Sequence, residues 1–557
     1  MNEITTPLDW REWESALAGH PDQKFREYVV NGIRSGFRIG FNYTNAACRK
    51  SGKNLPSVRE QPQVVRDYLA EECAQGRILG PLDPESFPQV HTSRFGIIPK
   101  STPGKWRLIV DLSSPQGGSV NDGISEKLCS LSYVGVEEAA SGILAYGQGA
   151  LLAKVDIQNA YRNIPIHPDD RWLLGMIWED TLYIDTALPF WLRSAPKIFT
   201  AVADAAEWIA RQHGVRFIIH YLDDYLIIGA PNSDECREAL AKLLEIFRCL
   251  GLPVAESKLE GPWMCIKFLG FELDSSIMEI RLPHGKLQEL QQVIREWQER
   301  KSSTKKELES LVGKLAFASG VVKPGKTFLR RMFELLLGIR QSHHHVWLNT
   351  QFRSDLQWWA TFLKTWNGIS ILEQQGHQIS TIHFTTDASG HFGCGALWDS
   401  AWFQLQWPQS YQEHDLQLKE QSITFKEIVP IVLACAVWGP AWANKSVTVH
   451  CDNEGAVAVV NSGYSRVPQI MHMLRCLFFI RAFYQITLWA VHILSRDNEL
   501  ADAISRNNLS LLFTQVPQAV SQRVIIPHIV LSVLVERQPD WMSVDWCQLF
   551  KSCLLPA

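Results

Sequence analysis

Arg216-Phe-Ile-Ile-His-Tyr-Leu-Asp-Asp-Tyr-Leu-Ile-Ile-Gly229 is the stretch on which the reading of this chain turns. Phe217 to Ile219 and Tyr225 to Ile228 are apolar and β-rich, so Asp223 and Asp224 fall at the tight turn of a hairpin. An ordinary Asp-rich turn would account for four letters. Flanks this apolar are expected to be buried, however, and two adjacent carboxylates held there are costly unless a cation neutralises them. Hard oxygen donors of this kind suit Mg²⁺, which keeps several waters and takes its remaining ligands from substrate phosphates.

With 557 residues the chain has length for roughly three or four units with their own cores. Its 46% hydrophobic and 20% charged residues describe a globular protein rather than a disordered one. A net charge of -4 excludes a uniformly basic nucleic-acid coat and leaves room for a local basic surface. The 12 Cys form no C-x-x-C pair or zinc spacing and read as reduced, mostly buried thiols. Met1 to Trp10 lacks the basic-then-apolar order of a secretory signal. The expected location is therefore intracellular, in cytoplasm or nucleus. The longest uncharged apolar run, Ile428 to Ala443, is shorter than the roughly 20 residues a membrane span needs and contains Pro430 and Pro440. Val524 to Val535 is shorter still, so no membrane partner is expected.

Residues 1–60 show no sustained periodicity and suggest no chemistry. Val64, Val65, Tyr68 and Leu69 recur at helical spacing up to a stop near Gly76, and Pro81, Pro84 and Pro88 mark a loop. Ser93 to Asp111 reads as a hairpin turning at Ser101-Thr-Pro-Gly104, with Lys100 and Arg107 on its paired strands. Such cations suit a triphosphate, although exposed hairpins carry them routinely. Leu151-Leu-Ala-Lys-Val-Asp156 is an apolar strand ending in an acid, which is either a helix cap or a ligand. If it pairs beside the hairpin, Asp156 and Asp223 can bridge two metal ions roughly 3.5–4 Å apart, as in-line phosphoryl transfer requires.

Together with Leu188-Pro-Phe-Trp-Leu-Arg-Ser-Ala-Pro196, Ser257-Lys258 and Phe268-Leu-Gly-Phe271, these blocks resemble, in content and order, a reverse transcriptase of the retroelement kind. Gly117-Gly-Ser-Val-Asn-Asp-Gly123 and Gly76-Arg-Ile-Leu-Gly-Pro81 resemble the DIRS-type elements, which carry a tyrosine recombinase in place of an integrase. The resemblance implies that Asp156 and Asp223 bind catalytic metals with Asp224 in support. It implies that Lys100 and Arg107 hold the incoming phosphates beside Phe190, and that Lys258 donates a proton to pyrophosphate. Tyr161 becomes a steric gate against the 2′-hydroxyl, with a core aromatic as the competing reading. Relatives usually have Gly where this chain has Trp191, and an indole there either hinders activity or repacks.

Leu287, Leu290, Ile294 and Trp297, then Leu308, Leu311, Val312 and Leu315, keep helical spacing in a region where twelve Lys and Arg face six Glu between Lys286 and Arg340. That excess suits a thumb that tracks a phosphate backbone. His343-His-His345 cannot easily converge on one ion and reads as a loop. Past His377 a second acid set follows: Asp387 ending a strand, Glu427 in the apolar helix, Asp452 ending another strand, and Asp502 in Leu500-Ala-Asp-Ala-Ile-Ser-Arg506. Each alone reads as a cap or a surface charge. In this order they resemble ribonuclease H, whose chemistry uses two metal ions and whose 2′-hydroxyl contacts select the RNA strand. Thr424 and Glu427 could instead form a capping box, and Pro430 must kink or start the helix. Leu494-Ser495 replaces the usual Pro-Gly. His492 either assists product release or packs in a core.

The expected fold is α+β: a right-hand polymerase followed by a connection and an α/β ribonuclease H-like domain. The expected divisions are an N-terminal region at 1–60, fingers and palm at 61–280, thumb and connection at 281–375, the ribonuclease H-like domain at 376–507 and a tail at 508–557. The tail, with Trp541 and Trp546, suggests packing, including against an element-encoded neighbour. The expected activity is RNA-directed DNA synthesis with degradation of the RNA of the hybrid, from a retrotransposon, using two Mg²⁺ or Mn²⁺ ions per site. Its partners are an RNA template, a DNA primer, the RNA–DNA hybrid and deoxynucleoside triphosphates. A decayed or domesticated nucleic-acid-binding protein is the alternative, and a nuclease alone is a third.

Overall fold

The computed structural model describes residues 3–42, 52–99, 106–363, 367–370, 382–407, 423–443, 445–465, 467–484, 486–528 and 530–531. Two compact units divide the chain, Met1–Met278 and Glu279–Ala557.

The first unit is built on a four-stranded antiparallel sheet ordered Ile218–Tyr221, Asp224–Gly229, Leu151–Asp156, Glu260–Trp263. Val155, Ile218, Tyr225, Leu226 and Ile227 are almost wholly buried, as the apolar flanks of the Asp223 turn require. Ala195–Gln212 packs beside them because Ile198, Phe199, Val202, Ala203, Ala206, Ile209 and Ala210 recur at three- and four-residue intervals and are all buried. Glu235–Leu250 lies against the sheet by the same rule and ends at Gly251, whose φ of 75° is the left-handed stop of a helix. Phe95–Pro99 and Trp106–Val110 form a two-stranded hairpin with Ile98 opposite Arg107. A three-stranded sheet, Ile78–Leu82, Thr181–Asp185, Gly175–Trp178, and the antiparallel pair Cys265–Phe268 and Phe271–Asp274 also belong to the unit. The helix before it ends at Ala74, as expected, but the loop expected around Pro81 is corrected. Ile78–Leu82 is an edge strand, the one place in a sheet where proline's missing N–H costs nothing.

Residues 3–42, for which the sequence offered no role, are woven into this unit. Asp9 and Asp22 cap the helices Trp10–Ala16 and Gln23–Ser35. Trp13 is wholly buried and its indole N–H donates to the Leu250 carbonyl at 2.9 Å. Buried Asp170 accepts from the Arg38 guanidinium at 2.9 Å and from the Ile39 N–H at 2.8 Å.

The second unit begins with the helices His284–Gln298, Lys305–Ala318, Arg330–Leu336 and Thr350–Phe362. Leu290, Ile294 and Trp297, then Leu308, Leu311, Val312 and Leu315, are their buried faces. Thr304 and Glu307 cap the second helix reciprocally. His343 and His344 lie in a turn and His345 opens a short strand, without forming a three-ligand cluster among the described residues.

A five-stranded sheet follows, ordered Ala401–Gln406, Gly393–Trp398, Ile382–Ala388, Ser446–Cys451, Thr487–His492. Its first two pairings are antiparallel and its last two parallel. The helix Ile423–Trp438 is hydrophobic all round and buried, with Pro430 in its interior rather than at its start. Asp355, 1% exposed, meets Arg331 at 3.3 Å and the buried Arg475 at 3.4 Å, tying the Thr350–Phe362 helix to Pro468–Tyr484. Beyond residue 507, Leu512 and Ala519 pack on Trp402, and the 522–524 backbone hydrogen-bonds along Trp402 at the sheet edge. Trp541 and Trp546 lie outside the described residues. Among the described residues no helix is long and apolar enough to cross a membrane.

Trp13→Ala is expected to destabilise the first unit by about 3–5 kcal/mol, the usual cost of deleting a buried indole. Chemical denaturation measures this, and a loss below about 1 kcal/mol would show that the N-terminal segment is not part of that cooperative core.

Candidate active sites

The hairpin Ile218–Tyr221 and Asp224–Gly229 turns through Leu222 and Asp223, with Leu222 at φ 51° and Tyr221 paired to Asp224. Asp224 in turn is the register partner of Asp156 on the neighbouring strand. The Asp223 carbonyl accepts from the Ile157 N–H at 3.0 Å, which fixes the turn against the end of the Asp156 strand. Three carboxylates separated by almost seventy positions in the chain are thereby brought to one edge. Asp156 is 6% exposed. Burial, then the neighbouring Asp223 and Asp156 charges, push Asp224 up to about 6 against the partial relief of Lys154. Asp223 is also raised, by burial first and by Asp156.

Lys258 places its Nζ 2.9 and 3.0 Å from the two oxygens of Asp156, and this bond holds the ammonium above its ordinary range. Tyr161 lies half-buried in the short turn Ala160–Asn163, its ring centroid 5.5 Å from that of Phe190 and 5.5 Å from that of Phe199. Burial, with Tyr133, Asp223 and Tyr221 adding to it, raises the Tyr161 hydroxyl strongly. The turn is braced by Arg162, which is buried and pairs with Glu72 at 2.8 Å and Asp185 at 2.7 Å while donating to the Ala187 carbonyl. Arg107 is exposed and its guanidinium stands 5.5 Å over the Phe190 ring. Lys100 lies outside the described residues. The oxygen-only donor set and the like-charge cost written into Asp223 and Asp224 fit a hard divalent cation.

The second cluster forms where the sheet of the second unit meets two helices. Asp387 is on the central strand opposite Gly395, and a β-carbon at Gly395 would sit 2.3 Å from Ile504. That glycine lets the Glu499–Ser505 helix approach closely enough to bring Asp502 beside Asp387. Burial, then Asp452 and Asp502, push Asp387 up to about 6, partly offset by the Ser505 hydroxyl it accepts from. Glu427 is 3% exposed, and burial with Asp387 and Asp452 drives it up to about 9. Its partners among the described residues are the Ala388 N–H and, at 3.7 Å, the Cys451 thiol, so the carboxylate is turned to the cluster and not into a capping box with Thr424. Thr424 instead meets Asn453. Glu427, Cys451 and Asp452 have ligand atoms within 4.8 Å of one another. Asp502 is bonded at 2.6 Å by Arg506.

Ser495, of the Leu494-Ser495 pair, donates to Asp452 at 2.7 Å, and the His492 ring lies 3.2 Å from the Asp452 carbonyl. His492 is exposed, which removes its reading as a core residue. Sequence reasoning also passed over Tyr133, whose ring lies 5.0 Å from that of Tyr221. No local pattern signals that contact. Lys154 was within reach, since two residues along a strand share a face with Asp156.

The fold is that of a right-hand polymerase joined to a ribonuclease H-like sheet, with one acid cluster in each unit. Residues 98–273 match the family model for reverse transcriptase (RNA-dependent DNA polymerase). This stretch is a reverse transcriptase domain like those of retroviral Pol polyproteins. The chain is 24% identical over 312 residues to the Gag-Pro-Pol polyprotein of Mason-Pfizer monkey virus, covering 54% of this chain and 16% of that protein. It is 25% identical over 302 residues to the Gag-Pro-Pol polyprotein of Simian retrovirus SRV-1, covering 52% and 15%. It thus spans about one sixth of the curated relatives it matches. Its fold is similar to that of a foamy viral protease-reverse transcriptase in complex with dsDNA, at TM-score 0.51 and 15% identity, over 88% of this chain and 99% of that one. The dRH form of that protein, also with dsDNA, matches at TM-score 0.50 and 15% identity, over 88% and 83%.

Glu427 and Asp387 keep their protons in the folded chain above the ordinary values of 4.5 and 3.8. Each therefore contributes stability that is complete below those values and is lost as pH rises through about 9 and about 6 respectively. With a chelator present, the denaturation midpoint of the second unit should fall across that range, and Glu427→Gln should flatten the slope above about pH 6. Identical slopes in parent and variant would show that Glu427 is not held protonated.

Proposed function

We propose that the chain is an RNA-directed DNA polymerase with a fused ribonuclease H, copying RNA into DNA and degrading the RNA of the resulting hybrid. The observation that carries this reading is the convergence of Asp156, Asp223 and Asp224 on one sheet edge, with Tyr161 and Phe190 beside them and Arg107 over Phe190. Asp156, Asp223 and Asp224 would hold Mg²⁺ or Mn²⁺ in the first unit, and Asp387, Glu427, Asp452 and Asp502 in the second. Two ions per site would supply activation of the attacking oxygen and stabilisation of the leaving one.

The chain's own groups then divide the remaining work. Arg107, with Lys100, grips the phosphates of the incoming deoxynucleotide. Tyr161, packed against the Phe190 and Phe199 rings, excludes a 2′-hydroxyl by its bulk. Lys258 carries a proton within reach of Asp156 and gives it to departing pyrophosphate. In the second unit, Ser505 and Arg506 orient Asp387 and Asp502, while Ser495 and His492 hold the Asp452 loop.

Residues 61–280 are assigned as fingers and palm, 281–375 as thumb and connection, and 376–507 as the nuclease. The substrates are an RNA template, a DNA primer, deoxynucleoside triphosphates and the RNA–DNA hybrid. The Gly117–Gly123 and Gly76–Pro81 motifs support a DIRS-type retrotransposon as the source, and the free cysteines among the described residues are in keeping with an intracellular setting. In keeping with the substrates, the foamy viral structures named above contain dsDNA.

Primer extension on an RNA template and cleavage of a labelled hybrid separate the two activities. Asp223→Asn is expected to reduce synthesis to background and spare cleavage; Asp387→Asn should do the reverse. Absence of synthesis by the parent, with nucleic-acid binding intact, would favour a decayed binding protein, and cleavage alone a nuclease. Tyr161→Ala should raise ribonucleotide incorporation relative to deoxynucleotide, and unchanged selectivity would return Tyr161 to a packing role.

A further inference from the structure

Trp191 combines features that oppose one another. Its backbone lies at φ 73°, in the left-handed region that bulky side chains rarely adopt and glycine adopts freely. The indole is nevertheless 65% exposed, so burial does little to offset that strain. Among the described residues its indole makes no hydrogen bond and no ring contact, and only the backbone carbonyl is engaged.

The conformation is held from outside the residue. Asn121, 5% exposed, donates from Nδ2 to the Trp191 carbonyl and to the Ser113 hydroxyl, each at 2.9 Å, and accepts from the Arg193 N–H at 2.8 Å. Arg193 returns a bond to the Ile124 carbonyl at 2.9 Å, closing the clamp between the two loops. Strain maintained this way collects where a side chain must be presented to a ligand. The next residue shows which ligand is near. Phe190 packs on Tyr161, which feels the Asp223 charge, and carries Arg107 over its ring.

We propose that Trp191 is a nucleobase-stacking platform at the rim of the Asp156, Asp223 and Asp224 site, resting on the polymerase reading above. A flat indole face accepts every base, since stacking needs only a π-surface. The base comes either from single-stranded template ahead of the primer end or from the incoming nucleotide. Trp191 then assists synthesis, contrary to the hindrance its bulk suggested from sequence.

The test uses the full chain and fluorescence anisotropy on two labelled substrates, a blunt duplex and the same duplex with a single-stranded template overhang, together with the KM for the next deoxynucleotide. Trp191→Gly should weaken overhang binding, or raise that KM, by roughly 5- to 150-fold, leaving the blunt duplex unaffected. Which of the two changes identifies the base. Trp191→Phe should keep most of the effect, and Trp191→Gly should raise Tm by about a few degrees as the backbone relaxes. Unchanged or improved overhang affinity and KM in Trp191→Gly overturn the proposal. A parent that binds the substrates but extends no primer instead overturns the polymerase reading on which it rests.

Discussion

Mutual repulsion of buried carboxylates is the constraint around which both units are arranged. Asp223 is raised by burial and by Asp156, Asp224 by burial and by Asp223 and Asp156, and Asp387 and Glu427 by burial and their neighbouring acids in the second unit. No chain gathers acids like this for stability, because each would be better solvated apart. The fold holds them together through strand register: Asp156 opposite Asp224 in one sheet, and Asp387 beside the Asp452 strand in the other. A divalent cation would turn the same geometry from a cost into a binding site.

Much of the surrounding structure keeps these edges in place. Arg162 is fully committed to Glu72, Asp185 and backbone carbonyls, which locks the Tyr161 turn from behind. Trp13 reaches the end of the Glu235–Leu250 helix, so the first residues of the chain steady the helix that backs the Asp156 and Asp224 strands. In the second unit, the absence of a side chain at Gly395 admits the Asp502 helix, and Ser505 on that helix bonds Asp387. Asp355, between Arg331 and Arg475, fastens the Thr350–Phe362 helix to the Arg330–Leu336 and Pro468–Tyr484 helices.

What could be read from sequence follows physical locality. The Asp223 hairpin, the Asp156 and Asp387 strand ends and the helices through Ile294 and Leu311 announce themselves by period and by apolar flanks, and the structure places them accordingly. The N-terminal segment did not, because Trp13 and Asp170 satisfy partners more than a hundred positions away. Ile78–Leu82 was hidden by Pro81, which argues against a strand unless the edge position is known. The capping alternative for Glu427 could be decided only by seeing which way the carboxylate turns. The left-handed backbone of Trp191 left no trace in the sequence beyond the unexpected indole itself.

If two separate carboxylate clusters each exist to hold divalent ions, the most direct measurement is equilibrium binding of Mn²⁺ followed by its paramagnetic resonance. The parent should show two classes of site, with Asp223→Asn removing one and Asp387→Asn the other. Mn²⁺ binding that survives both substitutions unchanged, or that both abolish together, would contradict the account.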